Sequence, residues 1–361
     1  MKKGLLTLSF MLMGFVLMGA SCVSFSSNSK SAATGPSGVF VSNDKGDTWK
    51  SSSLWPTAEG VKKITAINIF RQIDDPSDPN AMYLATKEHG VFYTYDNGIT
   101  WQQFTKPFNT GFVYAVAVNP SDKCDIYVSN GNQVYKTDDC GRFWKEVYRE
   151  ARQNVKIASL NFNFINPYEI FMGISNGDLL KSADKGVSWS MVHSFKTVTA
   201  GVVMSKLNPE IMFMATRSNG LYRSTDSGKT WVSLKNNMKG FSKALEYRRL
   251  VLHPTEANTI YWISTYGILV SKDSGDTWTD LKLVTPPGTV NIYAFTVNPK
   301  NDKEMYYTAT VNDRSTFYKS DDGGVTWITK KMPTGQIPVF IRVNPSAPET
   351  VFMGFTMPPK K

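Results

Sequence analysis

Seven aspartates recur in one local setting, and carboxylates repeated in this way are the kind of group that binds cations or transfers protons. Each lies two residues after a Ser or Thr, two before a Gly and five before a Trp; they are Asp44, Asp96, Asp139, Asp184, Asp226, Asp273 and Asp322. The alternating acidic ligands of a calcium loop are missing. Ser, Thr and Asp bond nearby backbone N–H groups, Gly permits positive φ, and Trp fills space between elements. We therefore expect these aspartates to be structural, with no metal or catalytic role.

The distance between these segments predicts the fold. Successive aspartates lie 42 to 52 residues apart, which is typical of one four-stranded propeller blade per repeat. Each repeat also has an apolar run, a turn such as Asn119-Pro120, a second apolar run and a Gly-containing turn such as Asn130-Gly131. Asn-Gly is a strong hairpin signal. We predict an all-β, seven-bladed propeller of four-stranded blades.

The two ends of the chain predict how the ring closes. Residues from Gly38 to about Ser51 supply a third and a fourth strand, whereas Gln336 to Phe355 supply a first and a second strand. We expect the ends to share one blade, because a closed ring leaves no long exposed sheet edge. The propeller then occupies residues 38–356, and residues 357–361 form a tail.

The N-terminal residues predict export. Lys2 and Lys3 precede a short apolar stretch and the sequence Gly19-Ala20-Ser21-Cys22, which is similar to the bacterial lipoprotein motif except that Gly19 stands where Leu is usual. We expect residues 1–21 to be a signal peptide, Cys22 to carry a lipid, and residues 22–37 to form a Ser- and Gly-rich tether. The protein would then be held at the membrane, facing the periplasm or the cell exterior. An ordinary secretory signal that leaves Cys22 free is the alternative.

The other two cysteines are predicted to form a disulfide. Centring a hairpin on Asn130-Gly131 puts Cys124 opposite Thr137, so that Cys140 lies at the same end of the same blade. An exported protein can oxidise such a pair. Three scattered histidines and these cysteines suggest no metal site, and no cofactor is expected.

The predicted innermost strands argue against glycoside hydrolysis. The stretches 64–73, 112–119, 157–166, 199–208, 249–254, 290–298 and 336–344 contain no Asp or Glu, whereas a glycosidase generally needs two carboxylates across the scissile bond. We therefore favour a protein without enzymatic activity.

Basic residues predict a binding surface. The loops that join fourth to first strands and second to third strands share one face, called here the loop face, and it carries most of the net charge of +10. Such a face attracts acidic proteins or anionic headgroups. The candidate partner-binding residues are Arg149, Arg152, Lys156, Lys235, Lys239, Lys243, Arg248 and Arg249. A solvated surface without a partner is the alternative.

Aromatic residues in the same loops leave a glycan ligand open. Side chains able to stack on sugars or anchor a protein are Trp55, Phe104, Phe108, Phe112, Phe195 and Tyr266. Nucleic acid is not expected as a partner of an exported protein, and we expect a monomer.

The repeated segment resembles the Asp-box, also called the bacterial neuraminidase repeat. With one seven-bladed ring and a lipoprotein-type leader, the chain is most similar to the photosystem II stability and assembly factor family. Sortilin-type receptors, sialidases and xyloglucanases share the repeats. The resemblance implies a membrane-anchored, non-enzymatic scaffold whose basic surface holds a protein such as a membrane-protein subunit. A glycan-binding module or a sialidase-like or xyloglucanase-like hydrolase is the alternative.

Overall fold

Seven four-stranded antiparallel sheets, or blades, account for nearly all of the regular structure in a computed structural model that describes residues 34–358. The predicted seven-bladed propeller is confirmed. Blade 1 runs outward through β29 (Ile337–Val343), β30 (Val351–Thr356), β1 (Gly38–Ser42) and β2 (Lys50–Ser52). Blade 2 comprises β5 (Ile69–Asp74), β6 (Met82–Thr86), β7 (Val91–Thr94) and β8 (Gln102–Gln103).

The remaining blades follow in chain order, each with its first strand innermost. Blade 3 is β9 (Ala115–Asn119), β10 (Asp122–Ser129), β11 (Gln133–Thr137) and β12 (Lys145–Arg149). Blade 4 is β13 (Ile157–Phe162), β14 (Ile170–Ile174), β15 (Asp178–Ser182) and β16 (Ser190–Ser194). Blade 5 is β17 (Thr199–Met204), β18 (Met212–Thr216), β19 (Leu221–Ser224) and β20 (Val232–Ser233).

Two further blades and two insertions complete the ring. Blade 6 is β21 (Tyr247–Leu252), β22 (Ile260–Ser264), β23 (Ile268–Ser271) and β24 (Thr279–Asp280), and blade 7 is β25 (Asn291–Asn298), β26 (Asn301–Val311), β27 (Arg314–Ser320) and β28 (Ile328–Lys330). A hairpin of β3 (Leu54–Thr57) and β4 (Gly60–Lys63) lies between blades 1 and 2. A 3-10 helix, Lys235–Met238, lies between blades 5 and 6.

Blade 1 joins the two ends of the chain, as predicted. Strand β1 pairs with β30 over the register Gly38↔Phe355 to Ser42↔Val351. All six residues of β30 are buried, because they are covered by neighbouring blades as well as by their own sheet. The predicted signal peptide, Cys22 and most of the tether lie outside the described residues.

The space between blades is filled by aromatic side chains, which corrects part of the predicted ligand surface. Phe104 and Phe108 are only 2% and 1% exposed, and their ring centroids lie 5.1 and 4.8 Å from that of Trp144 in the next blade. Phe195, 7% exposed, packs in the same way on Trp231, 5.0 Å away. These three phenylalanines belong to the core, because each completes the pocket that receives a repeated Trp.

Candidate binding site

The repeated aspartates form hydrogen bonds within their own turns. Asp184 accepts from Ser182 Oγ at 2.7 Å, and from the backbone N and the Oγ of Ser188 at 2.9 and 2.6 Å. The next two residues, Lys185 and Gly186, both have positive φ, 56° and 81°. The hydrogen bond from Ser188 Oγ is the main reason why the pKa of Asp184 falls to about 2. Both carboxylate oxygens are thus occupied by the turn.

A cluster of His253, Glu256 and Asp302 brings three possible metal-ligand atoms within 4.8 Å of one another. His253 Nδ1, however, accepts the backbone N–H groups of Thr255 and Glu256 at 3.3 and 3.1 Å. A neutral imidazole then carries its hydrogen on Nε2, which leaves no nitrogen lone pair for a metal. His253 does here what Asn119 does in blade 3, where Oδ1 accepts the backbone N–H of Ser121 at 2.8 Å.

The innermost strands contain a single carboxylate in the described residues, Asp74 at the end of β5. It accepts a short hydrogen bond from Nε of the buried Arg342 in β29, and Arg342 also donates to the carbonyl of Pro79 at 2.6 Å. This ion pair joins blade 1 to blade 2. A lone carboxylate held by an arginine lacks the second acid that a glycosidase generally requires.

Two of the predicted partner-binding residues are already compensated by carboxylates. Arg149 donates to both oxygens of Glu146, at 2.8 and 2.6 Å. Arg152 donates twice to Glu150 at 2.8 Å and once to Asp178 at 2.7 Å. These hydrogen bonds lower the pKa of Glu150. The first densely basic loop therefore carries less free positive charge than its composition indicates.

The other predicted basic loop, which joins blades 5 and 6, keeps its positive charge. Lys239, Lys243 and Arg248 are exposed and form no ion pair with any residue in the described part of the chain. Lys235 and Lys156 donate only to the neutral side chains of Asn219 and Asn132, at 3.3 and 2.6 Å. The uncompensated charge therefore concentrates on the connection between blades 5 and 6.

Arginines from separate blades meet beside this loop at the mouth of the central channel. Arg249 of blade 6 donates to the carbonyls of Tyr293 in blade 7 and Val339 in blade 1, at 3.2 and 2.6 Å. Arg71 of blade 2 lies close enough to perturb the pKa of Arg249, and Arg217 of blade 5 likewise perturbs that of Arg71. We call Arg71, Arg217, Tyr247 and Arg249 the channel-mouth cluster.

This cluster contains no carboxylate. Burial lowers the pKa of both Arg71 and Arg249, and the neighbouring arginine lowers each further, while Tyr247 acts in the opposite direction. Arginine nevertheless stays protonated in proteins. No carboxylate is among the groups that shift the pKa of Arg71 or Arg249. Guanidinium groups gathered in this way between low-dielectric walls create a focused positive potential. The arrangement is suited to binding an anionic group.

Half-buried aromatic rings lie next to the cluster. Phe70, the residue before Arg71, is 4.8 Å from Phe112 between ring centroids, and Phe112 is 4.5 Å from Tyr114. The Arg71 guanidinium carbon is 5.5 Å from the centroid of Phe70. Of the predicted ligand-stacking residues, Phe112 is thus placed beside the arginines. Trp55 and Tyr266 are also half-buried but lie elsewhere on the ring.

Sequence reasoning missed Arg71 as a partner of Arg249, although a signal was present. Each arginine follows a β-bulge at the start of its innermost strand, between Ile69 and Arg71 and between Tyr247 and Arg249. Aligning the repeats by strand would have put both residues at the same level of the channel. The convergence itself depends on the ring, because blades 2 and 6 are far apart in the chain.

The structure joins Cys124 and Cys140 in a disulfide. Cys140 occupies the positive-φ position after Asp139, and its backbone N donates to the carbonyl of Cys124 at 3.3 Å. Among residues 34–358, no helix has the length and apolar character needed to cross a membrane.

Comparison with known sequences gives the family. The profile of "Sortilin, neurotensin receptor 3" matches residues 37–172 and 177–267, more than half of the chain. The chain belongs to the Sortilin-Vps10 family. A xyloglucanase, Xgh74A of Acetivibrio thermocellus, is 24% identical over 158 residues, which cover 33% of this chain and 19% of the enzyme. The family member described here thus spans about a fifth of that curated relative.

Solved structures agree with the propeller fold. The GH74 xyloglucanase of Xanthomonas campestris superposes with a TM-score of 0.63 at 15% identity, over 86% of this chain and 52% of the enzyme. YCF48 of Cyanidioschyzon merolae superposes with a TM-score of 0.61 at 16% identity, over 80% of this chain and 95% of that protein. A YCF48 structure bound to D1 peptide gives 0.58 at 13% identity, over 82% and 100%. Identities this low show a shared fold.

Proposed function

We propose that this protein is a non-enzymatic binding propeller that takes an acidic segment of a protein partner at the channel-mouth cluster and the adjoining basic loop. The observation that carries the proposal is geometric: Arg249 reaches the carbonyls of Tyr293 and Val339 in two other blades, and Tyr247 N donates to the carbonyl of Arg217 at 3.1 Å. Arg71 also lies close enough to lower the pKa of Arg249, and no carboxylate is among the causes of that shift. Arg248, Lys239 and Lys243 extend the same charge outward. Uncompensated arginines recognise carboxylates with charge-assisted hydrogen bonds, which are stronger than neutral ones.

The aromatic rings beside the arginines favour a protein ligand over a free anion. Phe70, Phe112 and Tyr114 would bury the apolar side chains next to the acidic residues, because half-buried aromatics and Arg dominate the energetics of protein interfaces. The YCF48 structure bound to D1 peptide provides a precedent for a peptide ligand on a similar propeller. D1 peptide is the ligand in that YCF48 structure. For the partner of this chain we propose only its chemistry, an acidic protein segment.

We further propose that the protein is exported, monomeric and held to a membrane through a lipid on Cys22. The support is the sequence pattern alone: Lys2 and Lys3 before a short apolar stretch, and the lipoprotein-like residues before Cys22. An anchored propeller can hold a membrane-protein subunit during assembly. A glycoside hydrolase remains the weaker alternative, because Asp74, the lone inner-strand carboxylate in residues 34–358, is held by Arg342.

The test is charge reversal with a matched control. Arg217→Glu with Arg248→Glu should weaken binding of a Glu-rich peptide by about tenfold or more, since each removes an exposed, uncompensated charge. Lys229→Glu with Lys303→Glu makes the same charge change on the Asp-box face and should leave binding unchanged.

Fluorescence anisotropy with a labelled Glu-rich peptide and its Gln-rich counterpart reads the result. Wild-type affinity should fall steeply between about 0.02 and 0.5 M NaCl, because exposed charges are screened within about 10 Å at 0.1 M salt. Equal binding of both peptides, or equal losses in both double variants, would show that net charge alone attracts the probe and would contradict the site.

A further inference from the structure

A second site lies away from the channel, in a groove between the β3–β4 hairpin and the outermost strand of blade 2. Its volume is about 790 Å³. Trp55 and Thr57 line one wall, Gln103 the other, and Lys106 and Asn109 lie at one end. This volume falls within the range of small-ligand sites.

A backbone contact joins the two walls at one end of the groove. Trp101 N donates to the carbonyl of Leu54 at 2.7 Å, and a single parallel bridge joins Leu54 to Thr100. Beyond this bridge, β3 pairs only with β4 and β8 pairs only with β7. The strands therefore separate after Leu54, and the opening between them is the groove.

One wall presents a half-buried indole whose orientation is set by its neighbours. The ring of Trp55 meets that of Phe92 edge-on, 5.1 Å between centroids and 88° between planes. Lys62 Nζ lies 5.6 Å from the indole centroid. An indole held in this way loses little side-chain freedom when it packs against a ligand.

The facing wall offers amide groups with hydrogen-bonding capacity to spare. The side chain of Gln103 faces the indole, because Gln103 stands opposite Phe92 in the β7–β8 register. Gln102 points to the other face of the sheet, where its Oε1 accepts from Tyr93 Oη at 2.8 Å. Gln103 Nε2 donates to the carbonyls of His89 and Asn109 at 2.7 and 3.0 Å, so its Oε1 remains an acceptor. The side-chain amide of Asn109, at the end of the groove, forms no hydrogen bond within residues 34–358 and can both donate and accept.

We propose that this groove binds a short oligosaccharide without cleaving it. A pyranose ring has an apolar face that packs on an indole and hydroxyl groups that both donate and accept, which matches Trp55 opposite Gln103 with the amide of Asn109 at one end. No Asp or Glu lines the groove, so the two acids of hydrolysis are missing. Lys106 is the one charged residue of the lining and favours a saccharide that is neutral or acidic.

The groove is poorly suited to an extended peptide. Strand β8 has only two residues, which is too short a ladder for an added strand, and the lining has no series of apolar pockets for alternate side chains. The saccharide site lies on the outer edge of blade 2, whereas the channel-mouth cluster lies at the innermost strands. The two proposals are therefore independent.

The experiment is a binding screen followed by matched variants. Full-length protein is applied to an array of neutral and uronic-acid oligosaccharides of about two to six units, a size suited to the groove, and hits are titrated by calorimetry. Asn109→Leu, which keeps the side-chain size, and Lys106→Ala should each weaken a hit, and Trp55→Ala should abolish it. Phe143→Ala removes an 80% exposed ring on the Asp-box face and should change nothing.

The outcomes separate this proposal from the proposed function. Loss of saccharide binding of about tenfold or more in Asn109→Leu, with peptide binding retained, supports the groove. Arg217→Glu with Arg248→Glu should show the reverse pattern. No saccharide bound at millimolar concentration, a hit unaffected by all three groove variants, or groove variants that instead lose the Glu-rich peptide would each overturn the oligosaccharide site.

Discussion

Substituting Phe352 by Ala tests whether the C-terminal strand closes the ring. Phe352 in β30 is fully buried and belongs to a core cluster that includes Met82, Phe92 and Trp101 of blade 2. Truncating a buried Phe removes its transfer free energy and leaves a cavity, at a cost of about 3–5 kcal/mol. A domain is typically stable by about 5–15 kcal/mol, so we expect a large drop in the free energy of unfolding.

Urea unfolding, followed by both tryptophan fluorescence and far-UV circular dichroism, measures the loss. Met357→Ala is the control, because Met357 follows β30, is 42% exposed and should change stability by less than about 0.5 kcal/mol. A loss below about 1 kcal/mol for Phe352→Ala would refute the packing of blade 1 on blade 2. A chain ending at Thr334 lacks β29 and β30 and should lose cooperative unfolding; a transition as sharp as that of the full chain would contradict the shared blade.

Three further predictions concern acid, redox state and anchoring. The pKa values of Asp184, Asp226 and Asp322 are lowered to about 2, chiefly by hydroxyl hydrogen bonds, so their stabilisation is complete above about pH 4 and is lost as the pH falls towards 2. The urea concentration at the unfolding midpoint should therefore fall as the pH is lowered through this range, and it should fall less steeply in Asp184→Asn. A midpoint that does not change with pH would contradict the hydrogen-bond account. Reduction of the Cys124–Cys140 disulfide should cost about 3 kcal/mol without unfolding the other blades, whereas two freely alkylated thiols in protein recovered from cells would refute the bond in vivo. A palmitate analogue should label the wild type and not Cys22→Ala, and equal labelling would exclude the lipid on Cys22.

Much of the fold could be predicted because its determinants are local and repeated. The seven turns from Asp44 to Asp322 recur together with the strands between them. The sequence also shows half a blade after Gly38 and the complementary half after Gln336, and the structure pairs these halves in one sheet. The β3–β4 hairpin was missed because it occurs between one pair of blades and no repeat reveals it.

The binding site was less predictable from the sequence, because the positive charge that a basic surface retains depends on which carboxylates lie beside each basic side chain in the folded protein. Composition alone cannot show that Arg152 is neutralised by Asp178, 26 residues away, or that Arg71 approaches Arg249 across the channel. The density of basic residues predicted the loop face, but only the ion pairs show which part of it retains a positive field.

Photocrosslinking at position 217 in the native membrane tests the central claim most directly. A photoreactive side chain replaces Arg217 in one variant and Lys303, on the Asp-box face, in the other, and adducts are identified by mass spectrometry. The account predicts a protein adduct at position 217, mapped to an Asp- and Glu-rich segment, that high salt suppresses and that position 303 does not give. Adducts that are equal at both positions, or a crosslinked segment without acidic residues, would contradict a protein partner bound through the channel mouth.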